Sequence, residues 1–270
     1  MSRCVIIHSV LNSPKMIFDV TKPALLIFGI TLAFMFVRYA VLAGGTYFLV
    51  YHGLKEGMKS RKIEKKSQTQ SDLRREISYS VITMFIFALS VVLTQQMRVH
   101  GMTKIYDHVS DHGWPYWFLS IFLIIVTHDL YFYVTHRLMH IPGIFEHVHR
   151  VHHLSTNPTP FACFAFHPIE AAVQTLILPL VAILFPIHVG AFFIFFMLIK
   201  IFNVLGHLGY EIYPRGHEKS WLFNVISTPT NHNQHHATFN YNYGLYTVVW
   251  DKLMKTVHPN YAEKFKSVTS

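Results

Sequence analysis

Long apolar runs constrain the fold of this chain more than any other feature of its sequence. Residues 23–51, 77–97 and 115–135 each reach the length of about 20 residues that a helix needs to cross a bilayer. A fourth stretch, 171–205, is interrupted near Pro186, so that it could form a thin hairpin or a re-entrant pair. Only 14% of residues are charged, against about 25% in soluble proteins. The sequence therefore predicts an all-α polytopic integral membrane protein with about four or five membrane helices.

Basic residues are concentrated between the first two apolar runs. Residues 52–76 hold eight Lys or Arg and four acids, in a chain whose formal net charge is +9. This position favours a cytoplasmic loop near anionic lipid over a nucleic-acid-binding surface. The sequence predicts no cleavable targeting segment. We divide the chain into an N-terminal membrane region (1–114), a histidine-rich region (115–258) and a tail (259–270).

Histidine is unusually frequent, with 20 residues against 14 carboxylates. Three segments, HRLMH, HRVHH and HNQHH, repeat spacings of i, i+3 and i+4, which place rings on one face of a helix. Alternating spans bring all three to the cytoplasmic side, as a helical cap. So many imidazoles packed together need partners for their ring nitrogens, and metal ions are the natural ones. The candidate ligands are His136, His140, His149, His152, His153, His232, His235 and His236, with His207 as a ninth.

The number of histidines bears on the kind of metal site. Nine imidazoles exceed what one zinc ion takes, whereas two metals with four to six ligands each would use them. Imidazole suits zinc, copper, iron and nickel, so the ligand type alone does not select the metal. The zinc-protease pattern HExxH is absent. Cys4 and Cys163 cannot form a cysteine-rich site and are predicted to be free thiols.

The order of the three histidine segments resembles the signature HxxxH, HxxHH, HxxHH of the membrane fatty acid hydroxylase/sterol desaturase superfamily. Three flanking segments, at 158–170, 206–211 and 239–253, are similar to segments of sterol C5-desaturases. The resemblance covers roughly residues 110–258 and identifies 115–258 as a catalytic domain of this type.

The resemblance implies a non-haem di-iron centre that uses O2 on a C–H bond of a lipid, with a sterol-like substrate favoured. It assigns the nine histidines above as iron ligands, with His128 or His167 as a candidate further ligand. Asp129, Tyr133 and Glu170 are candidate catalytic residues beside the ligands.

Electrons must come from elsewhere, because the chain has no GxGxxG motif and no cysteine cluster. We therefore expect a separate reductase or small redox carrier, and a location in the endoplasmic reticulum of a eukaryote or the inner membrane of a bacterium. Other readings stay open at this point. They are a hydroxylase of fatty acyl, carotenoid or ether-lipid substrates, a membrane zinc hydrolase, and a histidine-rich metal-handling membrane protein.

Overall fold

Four helices are long and apolar enough to cross a membrane in the computed structural model, which describes residues 22–270. They are the first span, Ala24–Gly53, the second, Gln70–Val99, the third, Gly113–Met139, and the fourth, Val189–Gly206. The predicted all-α polytopic class is confirmed, and Cys163 is a buried free thiol as predicted. The Cys4 thiol and the start of the N-terminal region lie outside the described residues.

The first span is one helix with two irregular turns. An α-helix, Ala24–Tyr39, continues through π-helical turns at Ala40–Gly44 and Leu49–Gly53, separated by the helical turn Gly45–Phe48. The irregular part packs on the Pro160–Phe164 turn. The structure thus shows one unbroken helix with altered winding.

Buried polar groups join the second span to the segment that follows the histidines. The span begins with a capping box, in which Thr69 accepts from the Asp72 amide and Asp72 accepts from the Thr69 amide. Further along, Ser80 donates to the Phe161 carbonyl at 2.9 Å, and Thr159 donates to the buried Glu76 carboxylate. These bonds hold residues 159–161 against the bundle.

The apolar stretch 171–205 folds as two short helices followed by the fourth span. Pro168–Thr175 and Ile177–Leu184 together cover 17 residues, about 25 Å, which is less than the roughly 30 Å of a hydrocarbon core. A two-residue strand, Ile187–His188, then pairs in parallel with Ile105–Tyr106, which follows the second span. The short helices therefore run to the end of the bundle where the second span ends, and the stretch is a thin hairpin.

The basic loop and the histidine-rich segments lie at the same end of the bundle, opposite the paired strands. In the loop, Ile63 donates its amide to the Gly209 carbonyl at 3.0 Å, and Gln68 donates to the Asn157 carbonyl at 3.2 Å. The predicted alternation of the spans accounts for this arrangement. That this end faces the cytoplasm stays a prediction.

Short helices and turns build a cap over that end. The helices of the cap are Lys55–Met58, Phe145–Val148, Arg150–His153, Pro229–Thr238, Val249–Leu253 and Tyr261–Thr269. The 3-10 turns, which lie at both ends of the bundle, are Lys59–Arg61, Val109–Asp111, Pro160–Phe164, His217–Lys219 and Leu222–Asn224. Residues 259–270, predicted as a tail, contain the helix Tyr261–Thr269. Its Phe265 is fully buried, 5.1 Å from the Phe223 ring and near His217.

Replacing Phe265 by Ala is expected to destabilise the cap, because it leaves a cavity beneath this helix. We expect the free energy of unfolding to fall by about 3–5 kcal/mol, measured by thermal or denaturant unfolding in detergent. Lys266→Ala, an exposed position on the same helix, is the matched control. Equal stability of the two variants would contradict the packing described here.

Candidate metal centre

Nine histidines from separate segments converge in the cap as two groups. Within each group, one ring nitrogen per residue lies within 4.8 Å of those of the others. The first group contains His136, His140, His149, His153 and His235, and the second contains His152, His207, His232 and His236. All are buried except His140, which is half-buried.

The two groups are interleaved along the chain. In HRVHH, His149 and His153 belong to the first group, whereas His152 belongs to the second. In HNQHH the pattern is reversed, since His235 belongs to the first group, whereas His232 and His236 belong to the second. Histidines four residues apart thus belong to the same group, and the histidine at i+3 points into the other group.

Local sequence explains how the helix Pro229–Thr238 can carry three of the ligand rings into the interior. Thr228 caps its first turn by accepting from the Asn231 amide, and Pro229 occupies the first helical position. The Glu211 carboxylate accepts from the Thr230 amide at 3.0 Å and from the Thr230 hydroxyl at 2.6 Å. A buried acid at this end is stabilised by the helix dipole and satisfies free amides.

Three of the nine rings donate a hydrogen bond from Nδ1 to a backbone carbonyl. The pairs are His136 with Tyr243 at 2.7 Å, His207 with Asn203 at 2.7 Å and His235 with Tyr241 at 2.6 Å. A neutral imidazole that carries its proton on Nδ1 has its lone pair on Nε2. These bonds therefore direct the three Nε2 lone pairs into the groups.

The inward nitrogens fit metal ions better than they fit each other. In the second group, Nε2 of His207 lies 3.1 Å from Nε2 of His232 and 3.3 Å from that of His236. In the first group, Nε2 of His235 and of His140 have no hydrogen-bond partner among the described residues. Converging lone pairs repel one another unless a cation lies between them, so the donor set suits one metal ion in each group.

Glu170, a candidate catalytic residue in the sequence analysis, lies beside His149. Its Oε1 is 2.8 Å from Nδ1 of His149, and both side chains are buried. The geometry is that of a close pair and not of a hydrogen bond. A carboxylate beside Nδ1 still favours the proton on that nitrogen and makes Nε2 a stronger donor to a metal. Nε2 of His149 faces Nε2 of His136 at 3.0 Å, inside the first group.

Asp129 and Tyr133 bind segments that surround the ligands. Asp129 accepts from the Tyr246 amide at 3.3 Å, the Thr247 hydroxyl at 2.6 Å and the Trp250 indole at 3.0 Å. The Tyr133 hydroxyl pairs with that of Thr256 at 3.0 Å. The structure thus gives both residues contacts with the 246–256 segment, and their catalytic roles stay predictions.

The two remaining candidate ligands lie outside both groups. His167 caps the helix Pro168–Thr175, with Nδ1 accepting from the Ile169 amide at 3.3 Å. His128 is buried two helical turns before His136 and packs on the Phe195 ring at 5.3 Å. The geometry therefore joins nine of the eleven candidate ligands.

An apolar cavity of about 60 Å³ lies among the spans beside the histidine groups, and we call it the central cavity. Phe132, which lines it, is 4.9 Å from the His136 ring, and Phe166 is 5.1 Å from the His152 ring. The cavity therefore borders both groups through aromatic side chains.

Burial keeps the ligand imidazoles neutral. Desolvation lowers the pKa of the eight group histidines outside the spans, for His207 to about 4. A neutral imidazole can bind a metal without first releasing a proton, so the groups are ready to bind metal at neutral pH.

Some supporting groups could not be identified as such from the sequence. The carbonyls of Tyr243, Tyr241 and Asn203 carry no residue-specific signal, because any residue has one. Glu211 stands in the segment GHLGYE, which the sequence resemblance covers, but nothing there indicates that it binds the Pro229–Thr238 helix. Asp251 accepts from the Tyr243 amide at 2.9 Å and so holds the carbonyl that binds His136.

The fold and the two histidine groups define a polytopic helical protein with an imidazole-lined candidate metal site. A family model described as fatty acid hydroxylase matches residues 121–256. The chain therefore belongs to the fatty acid hydroxylase family, and the predicted superfamily is confirmed.

Curated relatives agree with this family. The chain is 32% identical over 250 residues to a Delta(7)-sterol 5(6)-desaturase of Leptosphaeria maculans, covering 92% of the chain and 66% of the relative. It is 28% identical over 222 residues to lathosterol oxidase of Rattus norvegicus, covering 81% and 70%, and 27% identical over 240 residues to that of Homo sapiens, covering 87% and 75%. The chain thus spans about two thirds to three quarters of these relatives, and no solved structure matches it.

Replacing Glu170 by Ala is expected to weaken metal binding in the first group by about 10–100-fold, because His149 loses its carboxylate partner. Metal analysis and titration against a chelator measure this loss. Glu146→Ala is the control, since that exposed carboxylate accepts from the Gly143 amide. Unchanged affinity in the Glu170 variant would argue against its role.

Acid is expected to destabilise the metal-free protein. The histidines of the unfolded chain take up protons near pH 6.5, whereas the buried ones do so only at lower pH, for His207 near 4. The free energy of unfolding therefore falls as the pH is lowered from about 6.5 toward 4. Burial also raises the pKa of Glu211 and of Asp251. This shift makes the free energy of unfolding rise as the pH falls, but it involves fewer groups than the shift of the histidines. Unfolding midpoints of chelator-treated protein across this range test the prediction, and a constant or rising midpoint would refute it.

Proposed function

We propose that the chain is a membrane-bound non-haem di-iron oxygenase, which uses O2 and external electrons to desaturate or hydroxylate a C–H bond of a lipid. A sterol-like substrate is favoured, because the relatives described above carry the names sterol desaturase and lathosterol oxidase. The family match over residues 121–256 supports the reaction class.

The observation that carries this proposal is the pair of buried imidazole groups beside an apolar cavity. The two groups would hold two iron ions, one with five and one with four imidazole ligands. Two bound iron ions would supply the activation of O2 and the oxidation of an unactivated C–H bond. Zinc hydrolysis uses one metal with three protein ligands and a water, which nine converging imidazoles exceed.

The side chains around the groups have three tasks in this reaction. The carbonyls of Tyr243, Asn203 and Tyr241 orient ligand rings, and Glu170 orients His149. Phe132 and Phe166 separate the groups from water on the side of the central cavity. Exclusion of water protects a reactive oxidant from side reactions. The substrate enters from the lipid between spans and presents its C–H bond at this boundary.

Electrons reach the site from a separate small redox carrier and its reductase. The cap end, where the basic loop lies, is the side on which such a carrier docks, and by the distribution of positive charge it is the cytoplasmic face. In a eukaryote the membrane is that of the endoplasmic reticulum, and in a bacterium it is the inner membrane. The basic loop also attracts anionic lipid.

Removing one ligand tests the proposal. His152→Ala is expected to lower O2-dependent lipid oxidation by more than about a hundredfold, since even partners of metal ligands contribute 10–100-fold. The measurement is the lipid profile of a host that expresses the chain, together with the iron content of the purified protein. His147→Ala, an exposed histidine five residues earlier and outside both groups, is the matched control.

Two irons per chain and turnover that requires O2 support the assignment. One tightly held zinc ion with activity independent of O2 would overturn it in favour of a hydrolase. Full activity of the His152 variant would remove that residue from the ligand set.

A further inference from the structure

Most side chains that line the central cavity are apolar, but four of them carry buried polar atoms that have no hydrogen-bond partner among the described residues. These atoms are Arg38 Nε, His128 Nδ1, Gln174 Nε2 and Asn203 Oδ1. None of the four residues is more than 6% exposed. Buried polar groups without partners cost free energy and are rare in native proteins, so this lining indicates a polar ligand group.

Arg38 is the most unusual member of the lining. It lies in the middle of the first span, where a charged side chain is costly and usually functional. One guanidinium nitrogen, Nη1, donates to the Phe196 carbonyl at 2.9 Å and so joins the first and fourth spans. That bond explains part of the side chain's position, but it leaves Nε without a partner at the cavity.

The lining is close to the histidine groups. Asn203 precedes His207 by one helical turn, about 6 Å along the axis, and its carbonyl binds the His207 ring. His128 precedes His136 by two turns, about 12 Å. A polar group held in the lining therefore lies on the order of 10 Å or less from the metal centre. Carbon atoms of the same lipid, at a similar distance from that polar group, can then contact the metal centre.

The combination of donors and acceptor selects the kind of oxygen group. Arg38 Nε and Gln174 Nε2 can only donate, whereas Asn203 Oδ1 can only accept. A hydroxyl group both accepts and donates, so it can satisfy a donor and the acceptor together. A carboxylate accepts only, and it would leave the Asn203 oxygen unpaired and facing a negative charge.

We propose that the polar lining of the central cavity binds the hydroxyl group of the lipid substrate, with Arg38 and Gln174 as donors and Asn203 as acceptor. The assignment of this lipid as a substrate rests on the proposed function. A volume of about 60 Å³ holds a hydroxyl and a few carbon atoms, so the rest of the lipid lies between the spans or widens the cavity. Arg38 lies on the first span, outside the residues that the family model matches, whereas Gln174 and Asn203 lie within them.

Direct lipid binding tests the proposal without turnover. The probe is radiolabelled 5α-cholestan-3β-ol bound to the full chain in detergent, compared with 5α-cholestane, which lacks the hydroxyl, and with stearic acid. The alcohol is expected to bind at least about tenfold more tightly than either comparison lipid, and Arg38→Met is expected to remove most of that difference. Gln174→Met tests the same site should the Arg38 variant fail to fold.

Matched controls separate this proposal from the proposed function. Val37→Met changes an exposed neighbour on the same span and should bind the alcohol as the unaltered protein does. His236→Ala should lose metal and activity but keep alcohol binding, so a failed oxygenase assignment leaves this measurement intact. Equal binding of alcohol and hydrocarbon, preference for stearic acid, or unchanged binding in the folded Arg38 and Gln174 variants would each overturn the hydroxyl site.

Discussion

Hydrogen bonds from imidazole Nδ1 to fixed acceptors are the interactions on which the centre depends. Backbone carbonyls hold His136, His207 and His235, and the Glu170 carboxylate lies 2.8 Å from Nδ1 of His149. Each bond sets the tautomer and the ring plane together, so that Nε2 points inward as a lone pair. Without them the rings could turn and satisfy one another as an ordinary polar cluster. With them, the converging nitrogens are left for a metal.

The rest of the fold holds those acceptors in place. The fourth span supplies the Asn203 carbonyl, and the 241–256 segment supplies the carbonyls of Tyr241 and Tyr243. Asp129 of the third span binds this segment at Tyr246 and Thr247, and Asp251, within the segment, accepts from the Tyr243 amide. Buried carboxylates of this kind are costly in a membrane protein unless they are fully hydrogen-bonded, and here they accept bonds from amides, hydroxyls and an indole. The cap thus holds these carboxylates by hydrogen bonds, whereas several imidazole nitrogens among the described residues keep no hydrogen-bond partner.

The sequence predicts the spans and the histidines that share a helix face, because both depend on local periodicity. Long apolar runs give spans, and i, i+4 spacing gives same-face rings. It does not predict which histidine joins which group, since His152 and His153 are adjacent in sequence yet belong to different groups. It also gives no means to place Arg38 at a cavity or His128 outside the two histidine groups, since both depend on how the spans pack. His128 has the right spacing from His136, but its ring lies among Phe195, Phe132 and Tyr246.

The interleaving of the two groups also orders their assembly during synthesis. Domains made first fold first as a chain leaves the ribosome. The first group has four of its five imidazoles once residue 153 has emerged, whereas the second has two of four until the Pro229–Thr238 helix docks. The order of the histidines along the chain thus supplies most of the first group well before the second, which needs nearly the whole chain.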